Sequence, residues 1–254
     1  MTAPTSSAAV HFDEVAAAYA SSAVHARGED LPWMVEALAP RPAWRVLDVG
    51  TGAGHAAMAV APLVVHVTAV DVAPNMLAIA ARLCAERGIS NVTTLETNGR
   101  DLPFEGGAFD AAITRFSAHH WREPDAVIAE VERILPPGAP FVLVDSISPS
   151  DRAHDSFLAT LELLRDASHG RNDSVTAWRE RFTRHGFQIA QVRTWLLELD
   201  AEDWFKRSAT IPWRADACRK LLAEAPRETV AAFAIRDGGA RFSIPCAVIQ
   251  AIRL

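Results

Sequence analysis

Three features of the chain have residue types and spacings that could do chemistry. The first is Asp48-Val49-Gly50-Thr51-Gly52-Ala53-Gly54-His55. Alternate glycines permit a tight turn and let a ligand lie against backbone N–H groups, and a helix that starts there offers unpaired donors. The second is Asp71, 17 residues beyond Gly54 at the end of a β-branched run. A carboxylate so placed can accept charge-assisted hydrogen bonds from both hydroxyls of a ribose. The third is Arg115-Phe116-Ser117-Ala118-His119-His120-Trp121. Imidazoles titrate near neutrality, so His119 and His120 are candidate catalytic bases for a phenol, an enol or an acidic carbon. Their structural alternatives are packing against a ligand or backbone for His119 and helix capping for His120.

The spacing discriminates between ligands. A dinucleotide fingerprint, G-x-G-x-x-G, needs glycine at position 55, which is His55. A phosphate-binding P-loop needs Lys after its last glycine, and none follows here. A nucleoside with a ribose and no pyrophosphate fits better, which disfavours a nicotinamide-dependent oxidoreductase. The competing reading is a glycine turn without a ligand and a solvated aspartate.

These residues need a scaffold of alternating strands and helices. Short β-branched runs at 44–49, 64–70, 92–95, 109–115 and 141–145 read as strands, and apolar residues at helical spacing over 55–61, 75–87 and 124–134 read as helices. Pro62 stops the first helix and Gly88 caps the second. This alternation predicts an α/β fold, a parallel sheet with helices on both faces. Further strands are expected at 187–197 and 241–252. Residues 1–40 are expected to form a helical cap, and about 146–185 and 201–233 helical insertions over the ligand edge, all within a single domain spanning 1–254.

Composition narrows the class. Of 254 residues, 50% are hydrophobic, which excludes a disordered chain. The net charge is −6 and no Lys/Arg block exceeds two residues, so no nucleic-acid partner is expected. Cys84, Cys218 and Cys246 are too few and too scattered for a disulfide framework or a zinc cluster, and no metal site is expected. The apolar stretch 56–70 is broken by Pro62, His66 and Thr68, so no membrane span is expected. The N-terminus carries no secretory pattern, and a cytoplasmic location is expected.

The segments VLDVGTGAGH, VDVAPNML, NGRDLPFEGGAFDAAITRFSAHHW and ILPPGAPFVLVD together resemble class I S-adenosylmethionine-dependent methyltransferases. They are most similar to the small-molecule branch that includes ubiquinone/menaquinone C-methyltransferases. The resemblance covers about residues 44–145 and continues more weakly through 165–187. It implies a Rossmann-like sandwich around a mostly parallel seven-stranded sheet whose last strand is antiparallel. It also implies S-adenosyl-L-methionine as cofactor, S-adenosyl-L-homocysteine as product, and in-line methyl transfer to a small-molecule acceptor. Positioning and exclusion of water are enough for such a transfer, with or without a base. The alternative is an S-adenosylmethionine-binding or regulatory module without catalysis.

By position, the resemblance makes Asp48, Gly50, Thr51, Gly52, Gly54, Asp71 and Val72 cofactor-binding. The glycines border the methionine part, Asp71 holds the ribose, Met76 lies beside adenine, and Asn98 with the Gly99 backbone reads the adenine edge. Relatives usually have an acidic pair where Asn98-Gly99 stands, so adenine is expected to meet an amide oxygen. Arg115 is expected to bind the cofactor carboxylate, or to pair with Asp48 or Asp145. Tyr19, on a helical stripe with Phe12, either closes over the sulfonium through a cation–π contact or packs in the core. Trp178, Trp195, Trp204 and Trp213 hint at an apolar or aromatic acceptor, or belong to the core. His169, His185, Asp151 and Asp155 face the substrate or are solvated lid residues.

Overall fold

The computed structural model of the chain describes residues 9–13, 26 and 28–254. Seven strands form one sheet: β1 (Arg45–Val49), β2 (His66–Asp71), β3 (Val92–Glu96), β4 (Ala111–Arg115), β5 (Pro140–Ser146), β6 (Phe187–Asp200) and β7 (Arg241–Arg253). Their spatial order is β3-β2-β1-β4-β5-β7-β6. The first five run parallel, and β7 lies antiparallel between β5 and β6. Every residue of β4 and β5 is buried, as parallel strands covered on both faces must be. The chain winds outward from β1 to β3 and then returns to place β4 on the other side of β1. That reversal opens a crevice at the carboxyl ends of β1 and β4, where open α/β sheets bind ligands.

Successive strand residues feed opposite cores. Leu47, Val49, Ala112, Phe141 and Leu143 meet α4 (Pro124–Ile134) and α6 (Val175–Arg184) through Ile128, Val131, Trp178 and Phe182. Val46, Ala111, Ile113, Val142 and Val144 meet α1 (Asp30–Leu38) and α2 (His55–Val60) through Met34, Leu38, Ala57 and Val60. Between α2 and β3 lies α3 (Pro74–Glu86), which ends where Gly88, at φ 67°, takes the left-handed conformation.

A third core stands beyond the sheet. Ser146, the last residue of β5, pairs with Cys246, so the first residues of β7 and the last of β6 project past the carboxyl edge. Around this ribbon pack α5 (Arg152–Arg165), α7 (Ala201–Arg207), α8 (Pro212–Ala223) and α9 (Arg227–Ala232), joined through Leu161, Trp204, Phe205, Cys218, Phe233 and Phe242. The stretch 146–185 therefore divides between two places: α5 joins the core beyond the edge, whereas α6 lies in a helical layer of the sheet itself.

The largest boundary differences from the sequence expectation lie at β2, β4 and β6. β4 begins at Ala111 rather than residue 109. β2 begins at His66 rather than residue 64, because Val64 caps the 3-10 turn Ala61–Leu63, its N–H donating to the Ala61 carbonyl. β6 runs on to Asp200, because Leu199 and Asp200 still find partners in Phe242 and Arg241. Among the described residues, no helix is long and apolar enough to cross a membrane. Of the four tryptophans after Asp145, Trp178 is core, Trp195 stacks edge-on against Trp33 at 5.4 Å, Trp204 belongs to the third core and Trp213 is exposed.

Phe182 is fully buried, with its ring centroid 5.6 Å from Phe141 and 5.8 Å from Phe187. Phe182→Ala is expected to lower unfolding stability by about 3–5 kcal/mol in urea denaturation, the cost of emptying a site that the sheet cannot close over.

Candidate active site

Strand β1 delivers Asp48 fully buried, and the turn that follows folds back on it. Asp48 Oδ2 accepts from Thr51 Oγ1 at 2.6 Å and from the Ala57 N–H at 3.1 Å, tying the glycine turn to the first turn of α2. Its other oxygen, Oδ1, is buried with no hydrogen-bond partner among the described residues. Burial pushes the Asp48 carboxyl up to about 7, against the lowering effect of Thr51 and Ala57. Gly50 and Gly54 cannot be replaced at no cost. Both have positive φ, and a Cβ at Gly50 would lie 1.9 Å from Ser117 Oγ, one at Gly54 2.9 Å from Ala80 Cβ. The turn is thus pressed between the loop after β4 and helix α3. His55 is buried as the first residue of α2, where a dinucleotide turn has its third glycine.

Asp71 closes β2 and is also buried. Its Oδ2 accepts from the Gly52 N–H at 2.8 Å and its Oδ1 from the Ala73 N–H at 3.0 Å, so it links the glycine turn to the approach of α3. Burial raises its pKa, and the backbone donors of Gly52, Ala73 and Val72 oppose that.

These residues wall a cavity of about 190 Å³. Asp48, Gly50, Thr51, Gly52, Asp71, Val72, Met76, Asn98, Gly99 and Arg115 all line it, together with Phe12, Ser117, His120 and Trp121. Gly54 stands just outside the wall, in the turn that shapes it. Asn98 is exposed at the rim, and its Oδ1 accepts from the Arg100 N–H at 2.9 Å, so the amide oxygen expected to meet adenine already has one donor. Tyr19 lies outside the described residues; Phe12, on the same predicted stripe, lines the cavity and meets His120 edge-on at 4.8 Å.

Arg115 ends β4 and is held by a two-pronged ion pair to Asp30 in the first turn of α1, with Nη2 3.0 Å from Oδ1. Its carboxylate is therefore neither Asp48 nor Asp145, which corrects both pairings expected from the sequence. Asp145 is engaged elsewhere: it accepts from His119 Nδ1 at 2.6 Å, from the His119 N–H at 3.1 Å and from the Ser146 N–H at 2.7 Å.

The two histidines sit in a short 3-10 turn (Ala118–His120) after β4, and they diverge. His120 lines the first cavity, whereas His119 lines only a second, smaller one of about 50 Å³. The second cavity shares Phe12, Phe116 and His120 with the first and is otherwise walled by Ser146, Glu162, Arg165, Leu197, Leu199, Trp204, Arg207 and Ile244. Glu162 lies outside the quoted segments, Asp145 and Arg165 are only the end of one and the start of the weaker stretch, and the fold brings the three together here. A weak signal for Asp145 was available in its position, an acid closing a strand on the ligand edge.

The loop between α5 and α6 braces the turn from behind. The Gly170 and Arg171 N–H groups donate to the His119 carbonyl at 2.9 and 3.0 Å, and a Cβ at Gly170 would come within 2.9 Å of that oxygen. His169 is buried with its ring 5.5 Å from that of His119, and burial holds it down to about 3, so it is neutral. His185 instead bonds Asp125 at 3.0 Å, and Asp155 pairs with Arg171. Asp151 caps α5. Among the described residues, no three His, Cys, Asp or Glu side chains form a group that could hold a metal ion.

The buried Asp48 makes the free protein sensitive to pH. Its pKa is higher folded than in the open chain, so the folded state loses stability as pH rises from 3.8 through about 7. Asp48→Asn is expected to remove that loss, stabilising the free protein above neutrality by up to about 4 kcal/mol in chemical denaturation followed against pH.

Comparison with known proteins agrees with this geometry. Residues 46–138 match the family model described as a methyltransferase domain. The chain is 35% identical over 199 residues to an uncharacterized methyltransferase of Bacillus subtilis, YcgJ, covering 78% of this chain and 79% of that one. The crystal structure of YcgJ superposes with a TM-score of 0.82 at 32% identity, over 88% of this chain and 97% of that one. A demethylmenaquinone methyltransferase of Clavibacter sepedonicus is 30% identical over 188 residues, 68% of this chain and 76% of its own. A putative methyltransferase of Bacillus halodurans gives a TM-score of 0.84 at 28% identity, over 89% and 99% of the two chains. With its Rossmann-like seven-stranded sheet and these relatives, the chain belongs to the class I methyltransferases and is an enzyme of that family.

Proposed function

We propose that the first cavity holds S-adenosylmethionine and that the enzyme methylates a small-molecule acceptor seated in the second. The observation that carries this reading is the Asp48 carboxylate: one oxygen is used twice by the turn, and the other is buried in the cavity region with no partner. A buried acceptor left open in this way calls for a donor from outside the chain, best a cationic one. The ammonium of the methionine part is such a donor.

Asp48 and the Gly50–Gly54 turn would hold the methionine part, with Thr51 keeping the Asp48 carboxylate in place. Asp71 retains lone pairs beyond those used by Gly52 and Ala73, and these would receive the ribose hydroxyls. Met76 and the Gly99 backbone would border adenine. Since the Asn98 carbonyl oxygen is already bonded to Arg100, its amide N–H is the better placed group for an adenine ring nitrogen. When bound, the cofactor supplies a methyl group on a positively charged sulfur, which passes in line to a nucleophile while the C–S electron pair returns to sulfur. The chain's own part is to orient and to keep water out, through Phe12, Phe116 and His120 at the junction of the cavities. The walls of the second cavity favour a small apolar or aromatic acceptor, and one relative is named for demethylmenaquinone.

Calorimetry should give saturable binding of S-adenosylmethionine and S-adenosylhomocysteine and none of NADH. Asp71→Ala is expected to weaken that binding about 10- to 100-fold, the worth of charged hydrogen bonds; unchanged affinity contradicts the ribose assignment. A cation beside Asp48 favours its ionised form, so affinity should rise as pH climbs toward about 7 and lose that dependence in Asp48→Asn.

A further inference from the structure

His119 and His120 are neighbours in one turn with opposite surroundings. Asp145 can only accept, so the 2.6 Å contact places the His119 proton on Nδ1 and leaves the Nε2 lone pair open. Nε2 has no hydrogen-bond partner among the described residues, and His119 belongs to the wall of the second cavity alone. Asp145 is itself fixed by the Ser146 and His119 N–H groups, and the His119 carbonyl by Gly170 and Arg171. An imidazole oriented by a carboxylate, with one nitrogen left over, in the wall of a pocket that combines apolar side chains with Glu162, Arg165 and Arg207, is built to receive a proton. His120 is held differently: its Nδ1 lies 3.3 Å from both the carbonyl and the hydroxyl of Ser168, its Nε2 is 4.0 Å from Asp166 Oδ2, beyond hydrogen-bond reach, and its ring fills the junction between the cavities.

We infer that the second cavity takes an acceptor with one weakly acidic hydroxyl on an apolar ring or chain, that His119 Nε2 removes its proton, and that Asp145 is the positioning residue for that transfer. This rests on the reading of the first cavity only in that the oxygen so exposed is the nucleophile for the methyl group. The step balances within the site. The acceptor O–H bond breaks and its electron pair stays on oxygen. A new N–H bond forms on His119, so a neutral pair becomes an oxyanion beside an imidazolium whose charge Asp145 shares. The proton leaves to water once the acceptor departs. Phe116, Leu199, Trp204 and Ile244 supply the apolar walls that accept the body of such a molecule.

The net effect of the charges around His119 agrees with this geometry. Burial lowers its pKa, but Asp145 on β5 and Glu162 on α5 outweigh burial and the opposing Arg165, and the net direction is up. His120 is held well below the ordinary value by burial and by His119, and His169 is likewise neutral, with Asp166 opposing in both cases. One imidazole of the three is therefore the base.

The test uses the intact enzyme and 4-nitrophenol, whose phenolate absorbs apart from the phenol, in buffer below the free phenol's own pKa, with and without S-adenosylhomocysteine. Bound probe should show the phenolate band in both cases. The band should vanish in His119→Gln and fall about tenfold in Asp145→Asn, the ratio that one pKa unit represents. Binding of the probe only as neutral phenol, or a band that survives His119→Gln and is lost in His120→Gln, overturns the inference. Should Asp145→Asn fail to fold, nitrogen-15 histidine spectra of the wild-type chain decide. The ring missing in His119→Gln should show an unprotonated Nε2 and titrate above the ordinary imidazole value; titration at or below it overturns the assignment. S-adenosylhomocysteine calorimetry on the same samples separates the readings, since a phenolate band without cofactor binding defeats only the cofactor assignment, and cofactor binding without a band defeats only this one.

Discussion

The site depends on a carboxylate taken out of water at the end of β1. Asp48 is fully buried, and two of the groups that could neutralise its cost are the turn's own Thr51 hydroxyl and Ala57 N–H. They hold one oxygen and fix the turn against α2, but they leave the other oxygen unmatched. A buried, unmatched acceptor costs stability. The protein carries that cost where a ligand can relieve it, which is the usual place for such strain. The glycines follow from the same constraint, since only a backbone without Cβ lets the turn pass between Ser117 and Ala80 while curling around Asp48.

The second half of the site comes from sheet length. Because β6 and β7 outrun β5 at its carboxyl end, their free ribbon needs a cover, and α5, α7 and α8 provide it. That cover sets Leu199, Trp204 and Ile244 opposite the turn after β4, and so builds an apolar chamber next to the glycine loop. Phe116, at φ 48°, redirects the chain immediately after β4, and of the consecutive residues that follow His119 lines the second chamber while His120 stands at the junction of the two. Two rings of one type thereby acquire different surroundings: a hydrogen-bonded carboxylate for one, the Ser168 carbonyl, an aromatic edge and a carboxylate 4.0 Å away for the other.

Local pattern made the scaffold readable. β-Branched runs and helical spacings marked five parallel strands and their helices, and the glycine turn with Asp71 marked the ligand edge. What pattern missed is what depends on distant partners. For Arg115 the sequence offered the cofactor carboxylate, Asp48 or Asp145, yet its counter-ion is Asp30, 85 residues earlier and on a helix whose first turn faces β4 only after folding. Asp145 reads as one more strand-end acid until β4 and β5 lie side by side and His119 reaches it. The 187–197 run gave no sign of where β6 would stop, since its last pairs depend on the arrival of β7. Asn98 was legible as a departure from the acidic residue usual there, but the use of its oxygen by Arg100 is a local turn that only the folded backbone reveals.

Charge at the carboxyl edge ties these pieces to the choice of ligand. Asp48, Asp71 and Asp145 close β1, β2 and β5, and all are buried. Of the cations that line the cavity, Arg115 is paired with Asp30, and Arg100 and Arg122 come from the loops after β3 and β4 rather than from the glycine turn. In a region of low dielectric such a set favours a positive guest and repels a negative one far more strongly than it would in water. A pyrophosphate brought to this edge would meet Asp48 and Asp71 with no lysine from the turn to shield it, whereas an ammonium would complete the hydrogen bonds of Asp48. On the proposed function, the missing lysine and the histidine in place of a third glycine would express one preference, for a nucleoside that carries positive charge.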